Sequence, residues 1–207
     1  MKTNNLRMML AGLAAALASA MFAGPALAAS LSVHVSDQSG APVQDAVVYA
    51  MPVDGRLPKR EPVGAEIAQQ NKMFTPLVSV IQTGASVKLP NLDDIAHEVY
   101  SLSAPKHFEL KLYRGVPAHP VLFDKPGLVV LGCNIHDMMV AYLYIVDTPY
   151  YAKTDSSGNA TLTDLPSTLY RVTVLHYRQS DANARPTQTV NTSAKSPATF
   201  TVKLDAG

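Results

Sequence analysis

From Leu31 to Val35 the apolar residues fall at every second position, with Ser32 and His34 between them. That alternation is the mark of a strand with one face in a core and one in solvent. Ser36–Gly40 is polar and turn-forming, and Val43–Met51 predicts a returning second strand. The same rhythm continues down the chain. Ile67–Met73 runs up to Thr75-Pro76, Leu77–Ile81 ends at Gln82-Thr83-Gly84, and Val87–Leu89 ends at Pro90-Asn91. Further strands are predicted from His97 to Tyr100, over Phe108–Leu112, over Leu128–Leu131 and over Met139–Val146. Lys153–Asn159 is another turn, followed by strands at Ala160–Thr163, Tyr170–Tyr177 and Thr199–Leu204, while Ser180–Ser196 is polar and predicts a loose loop. No stretch of the body repeats at helical spacing. Short strands between regular turns predict an all-β protein built as Greek-key sandwiches.

The N-terminal segment breaks this pattern. Lys2 and Arg7 precede an apolar run from Met8 to Ala23, and Pro25-Ala26-Leu27-Ala28 offers small residues where a signal peptidase cuts. Residues 1–28 therefore read as a signal peptide, which makes the expected destination the periplasm, with no membrane span after cleavage. Loss of Lys2 and Arg7 turns the net charge of +1 into −1. With 47% apolar and 16% charged residues the chain can bury a core, and its charge balance gives no basis for nucleic-acid binding.

Cysteine supplies the sharpest clue. Cys133 is the single cysteine, so an exported chain carries a thiol with no disulfide partner. It stands where a buried strand ends, three residues before His136, which is three before Met139, where the next strand begins. A tight loop between two strands can turn thiolate, imidazole and thioether toward one point. Two histidines, a cysteine and a weak axial methionine form a blue-copper donor set. His97 fits as the second histidine, because it opens a strand on which it shares a face with Val99 while Glu98 faces away.

Val87-x-Leu89-x-Asn91, then His97-x-Val99, Lys125-Pro126-Gly127 and Cys133-x-x-His136-x-x-Met139, resembles the cupredoxins, with a ligand loop of the amicyanin type. The stretch from about Val63 to Val146 is similar to cupredoxin-like proteins of methylamine utilisation. The resemblance implies that His97, Cys133, His136 and Met139 ligate copper, and that electrons leave through the edge of His136. It also implies that exported redox partners, a dehydrogenase or a cytochrome, exchange those electrons. Cupredoxins commonly carry Asn after the first histidine and Thr or Ser after the cysteine; here Glu98 and Asn134 occupy those places, so the tie between ligand loops must be rebuilt. Asp137 and Met138 replace the usual residues between the last two ligands, which changes the rim around His136.

The two ends of the chain resemble a different module. Val33-x-Val35-x-Asp37-x-x-Gly40 and Thr154-Asp155-x-x-Gly158 follow the carboxypeptidase-regulatory-like, immunoglobulin-type pattern. The expected architecture is a cupredoxin sandwich (63–147) inserted in or joined to a small immunoglobulin-like sandwich (29–52 plus 148–207), with the proline-bearing stretch Val53–Pro62 at the boundary.

Several other readings stand beside copper. Zinc takes N, S and O donors and has little use for a thioether. A Cys133 nucleophile with His136 as base fits by spacing, but no enzyme signature accompanies it. Met138 competes with Met139 for the axial place, and Glu98 offers an oxygen donor. His34, His107, His119 and His176 read as surface or packed residues. Functionally, electron transfer without catalysis contends with copper delivery, and with a metal-free sandwich that binds a partner protein or glycan.

Overall fold

The computed structural model describes residues 29–205 apart from 167, 168, 180, 182, 183 and 195. The signal-peptide segment, 1–28, lies outside the described residues. Among the described residues the regular elements are all strands: β1 (Ala29–Asp37), β2 (Val47–Pro52), β3 (Ala65–Glu66), β4 (Ala68–Gln70), β5 (Met73–Thr75), β6 (Val78–Gln82), β7 (Ala85–Lys88), β8 (His97–Ser103), β9 (Lys106–Tyr113), β10 (Val121–Phe123), β11 (Gly127–Gly132), β12 (Val140–Val146), β13 (Tyr151–Lys153), β14 (Asn159–Leu165), β15 (Leu169–Leu175), β16 (Thr187–Asn191) and β17 (Ala198–Val202).

Two cores organise these strands. In the middle of the chain a five-stranded sheet, β6-β12-β11-β8-β9, and a three-stranded sheet, β10-β7-β3, enclose one apolar cluster. Val99, Val129, Leu131, Leu143 and Ile145 from the larger sheet meet Val87 and Phe123 from the smaller, all nearly inaccessible to water. The hairpin β4–β5 adds Phe74. The second core joins both ends of the chain: β14-β1-β17 packs against β13-β2-β15-β16 around Val33, Val35, Val48, Leu162, Tyr170 and Val172. Alternation explains who is inside. In β1 Leu31, Val33 and Val35 are buried while Ser32 is exposed, and β14 buries Ala160 and Leu162 between exposed threonines.

Between the two cores the outer faces of β12 and β2 meet at a third, smaller cluster of Val47, Val78 and Tyr144. Lys153 strengthens this junction: its Nζ donates to Asp45 Oδ1 at 2.8 Å and to the Val78 carbonyl at 2.6 Å.

Three segments depart from the pattern in the sequence. The strand expected over Val43–Met51 begins only at Val47, because Asp45 takes a left-handed conformation (φ 59°). Thr154 fixes that corner, its hydroxyl donating to Val43 O and accepting from Ala46 N–H. The run Ile67–Met73 is folded in two, turning at Asn71 and Lys72, both left-handed (φ 56° and 58°). The polar segment 180–196 contains β16, which completes a sheet edge by pairing with β15.

Candidate metal centre

The centre lies at one end of the middle sandwich, where β8 begins and the β11–β12 connection turns. Cys133 follows directly on Gly132, the last residue of β11, and His97 is the first residue of β8. Because β8 and β11 are neighbours, with Gly132 opposite Tyr100, the start of one strand and the end of the other come together. The loop after Cys133 is closed by Met139 N–H donating to His136 O at 2.9 Å. That closure brings the imidazole back over the strand ends.

His97, Cys133 and His136 converge: one donor atom from each lies within 4.8 Å of the others. His97 Nδ1 is 3.8 Å from Cys133 Sγ, and the two imidazole rings stand edge to face with centroids 5.0 Å apart. His97 is fully buried, Cys133 is 4% exposed and Met139 1% exposed. Met138 is 89% exposed, which removes it from contention with Met139 for an inward role. Glu98 is not part of the cluster, as strand alternation requires. His136 Nδ1 is sealed from solvent and makes no hydrogen bond. A buried imidazole nitrogen without a partner is costly unless something it can bind sits there. An orphaned nitrogen on a residue that clusters with another imidazole and a thiol fits a metal ion.

Asp93 orients His97. His97 Nε2–H donates to Asp93 Oδ2 at 2.8 Å, since a carboxylate can only accept, and this leaves Nδ1 as the ring nitrogen turned toward Cys133. The carboxylate is itself held by the turn of the β4–β5 hairpin, where Asn71 N–H donates to Oδ1 (2.7 Å) and Lys72 N–H to Oδ2 (2.9 Å). Burial pushes the Asp93 carboxyl upward, but the hydrogen bonds from Lys72, His97 and Asn71 outweigh it and hold it below the usual carboxylate range. Asn91 builds the loop that carries both groups, accepting from Asp93 N–H and donating to Ile95 O and Tyr113 O.

This tether answers the question raised by Glu98 and Asn134. Neither side chain makes a hydrogen bond among the described residues, and the first histidine is fixed from the hairpin side instead. Asp93 was missed in the sequence, although its place four residues before His97 was in plain view.

Two tyrosines border the centre. A Cβ on Gly132 would lie 2.9–3.1 Å from the ring of Tyr100, so only glycine lets that ring cover the strand beside the thiol. Tyr113, opposite His97 across the β8–β9 ladder, donates its hydroxyl to Leu89 O at 2.6 Å. Burial pushes its phenol up to about 12 against the effect of Gln69, so it stays protonated. The remaining histidines play other parts. His34 hydrogen-bonds Asn159 at the surface, His107 and His119 are exposed, and His176 is packed against Gln44 and Tyr177. As for a cysteine nucleophile, the thiol is nearly inaccessible and no helix among the described residues supplies an N-terminus to activate it.

No protein-family model matches the chain, and no curated protein matches it. Among solved structures it is similar to a copper-containing nitrite reductase from Thermus scotoductus SA-01, at 23% identity over 46% of this chain and 25% of that one (TM-score 0.38). It is also similar to a purple cupredoxin from Nitrosopumilus maritimus, at 19% identity over 39% of this chain and 98% of that one (TM-score 0.35). A reduced amicyanin variant matches at 16% identity over 47% of this chain and 98% of that one (TM-score 0.35). The chain thus spans a quarter of the reductase, and the donor geometry, rather than likeness at this level, bears on function.

Proposed function

We propose that the chain is a mononuclear type 1 copper protein of the cupredoxin family that carries single electrons and catalyses no reaction of its own. The observation that supports this most is the meeting of His97, Cys133 and His136, whose buried Nδ1 has no hydrogen-bond partner, with Met139 buried in the same core cluster as Cys133. Copper held there would supply a one-electron couple. Cys133 would give the thiolate, His97 and His136 the imidazoles, and Met139 the weak thioether, a set that suits both oxidation states.

The chain's own residues then determine how well it transfers electrons. Asp93 holds His97 in one tautomer and one orientation before any ion arrives. Both strand ends are fixed by ladders on either side, so the donors need move little between oxidation states. His136 is the half-buried member of the set, which makes its ring the natural edge for exchange with a partner.

The setting belongs to the same proposal. The signal-like segment favours the periplasm, and the resemblance to methylamine-utilisation proteins favours an exported amine dehydrogenase or a cytochrome as partner. The sandwich built from the two ends is proposed to be the carboxypeptidase-regulatory-like, immunoglobulin-type module (29–52 plus 148–207), with the cupredoxin unit (63–147) inserted in it.

The test is the visible and electron-paramagnetic-resonance spectrum of the Cu(II)-loaded protein. An intense thiolate-to-copper band that disappears in Cys133→Ser is the expected result. Copper bound without that band and surrendered readily to a chelator would replace electron transfer with delivery. A protein that takes up zinc and no copper, or no metal at all, refutes the reading.

A further inference from the structure

The turn of the β4–β5 hairpin and the loop before β8 bring a carboxylate up behind the metal centre. Asp93 finds three donors there, His97 Nε2–H and the backbone N–H groups of Asn71 and Lys72, and with the ring neutral none of them is a cation. Among the described residues no lysine or arginine pairs with it. Burial raises the carboxyl, but the hydrogen bonds from Lys72, His97 and Asn71 hold it below the usual carboxylate range, so it is ionised near neutral pH. A full negative charge thus stands one imidazole ring away from the donor cluster, answered only by dipoles.

Cys133 brings a second charge. Its thiol is 4% exposed, Sγ lies 3.8 Å from His97 Nδ1, and a cysteine must lose its proton to ligate a metal. The two imidazoles and the thioether are neutral ligands. An ion at the centre therefore meets two negative charges, one at the sulfur and one conveyed through His97. A neutral side chain in place of Asp93 would leave one. Charge beside a fully buried ring is tolerated best where it is cancelled. A divalent ion cancels both charges, and a monovalent ion leaves one over. Asp94 is exposed and Glu98 half-buried, and neither hydrogen-bonds a member of the cluster among the described residues.

We infer that Asp93 sets the oxidation-state preference of the centre: its charge, conveyed through the hydrogen bond to His97, favours a divalent over a monovalent ion and lowers the reduction potential of the copper couple. This rests on reading the centre as a type 1 copper site. It goes beyond the orienting role of Asp93, because a well-placed ring serves both oxidation states while a charge does not. One unit charge acting at an effective dielectric near 20, weakened by the partial exposure of the carboxylate, corresponds to about a tenfold change in that preference. The reduced protein is thereby made the readier electron donor.

Spectroelectrochemical titration of the copper-loaded mature protein, with affinities for Cu(I) and for Co(II) measured in parallel, tests it. Co(II) serves as an ion that stays divalent. Asp93→Asn is expected to raise the midpoint by about 59 mV, a tenfold change for one electron. It should also weaken Co(II) about tenfold more than Cu(I). Asp93→Ser, neutral and smaller, should do the same, Asp93→Glu should keep the midpoint of the parent, and Asp94→Asn should move nothing. Melting curves confirm that the variants fold. The inference is overturned if both neutral variants leave the midpoint in place or lower it, or if they weaken Co(II) and Cu(I) equally, since Asp93 then only orients the ring. A parent without a thiolate-to-copper band overturns the copper reading and this inference together, whereas a parent with the band and neutral variants without the shift overturn this one alone.

Discussion

Replacing Asp93 by alanine isolates the part of the metal centre that touches no donor sulfur and no exposed surface of the loop. The carboxylate accepts three hydrogen bonds, one from His97 Nε2 and two from the backbone of the β4–β5 turn. Asn71 and Lys72 are exposed, so water replaces the carboxylate at their N–H groups and the fold should lose only about 1 kcal/mol. His97 is fully buried and has no such replacement. Without its acceptor the ring loses both its tautomeric preference and its hold on orientation, and loss of such an orienting partner costs about 10- to 100-fold in metal affinity. At about 1.4 kcal/mol per tenfold this is about 1.4 to 2.8 kcal/mol. Asp93→Asn should fare little better, since its amide nitrogen must confront one of three donors. Competition for Cu(I) against a chromophoric chelator measures the loss, with Asp94→Ala, an exposed neighbour of equal charge, as control. If Asp93→Ala bound copper within twofold of the parent while folding normally, the idea that the hairpin presets His97 would be refuted.

Other expectations follow from single contacts. Gly132→Ala drives a methyl to within about 3 Å of the Tyr100 ring and should destabilise the fold by about 1–3 kcal/mol. Combined with Tyr100→Ala it should cost far less, a coupling that urea melts of the cycle would show. Lys153→Met removes the cation bonded to Asp45 and Val78 O; both charged side chains are about a quarter exposed, so about 1 kcal/mol is expected, read as a lower thermal midpoint. His176 is held neutral by burial first and by Arg178 second, against the pull of Gln44 O and Asp45, so its folded value lies below 6.5. The unfolded chain therefore binds the extra proton first. Stability should be intact above that value and fall as pH drops through it toward the lower folded one. Denaturation curves from about pH 7.5 to 5 should slope in the parent and flatten in His176→Gln.

The meeting of His97, Cys133 and His136 was legible because loop closure between adjacent strands is a local matter and alternation fixed the face of His97. Spacing already favoured Met139 over Met138, and burial agrees, with Met139 inside and Met138 in solvent. Asp93 was not legible, since its role depends on Asn71 and Lys72 meeting it across 22 and 21 residues. The corner at Asp45 was hidden for a similar reason: its cause is Thr154, 108 residues downstream of Ala46. The strand β16 was concealed by polar composition, because it sits on an edge and needs few apolar residues to pair.

The pairing of the strands also dictates an order of assembly. Among the described residues β1 finds its neighbours only in β14 and β17, and β2 only in β13 and β15, whereas the strands from β3 to β12 pair among themselves. However the chain is delivered, these first two strands stay without their ladder partners until β13 to β17 are also present. The middle can fold during that delay, and in doing so it draws the two waiting ends together and shortens the effective loop they have to close.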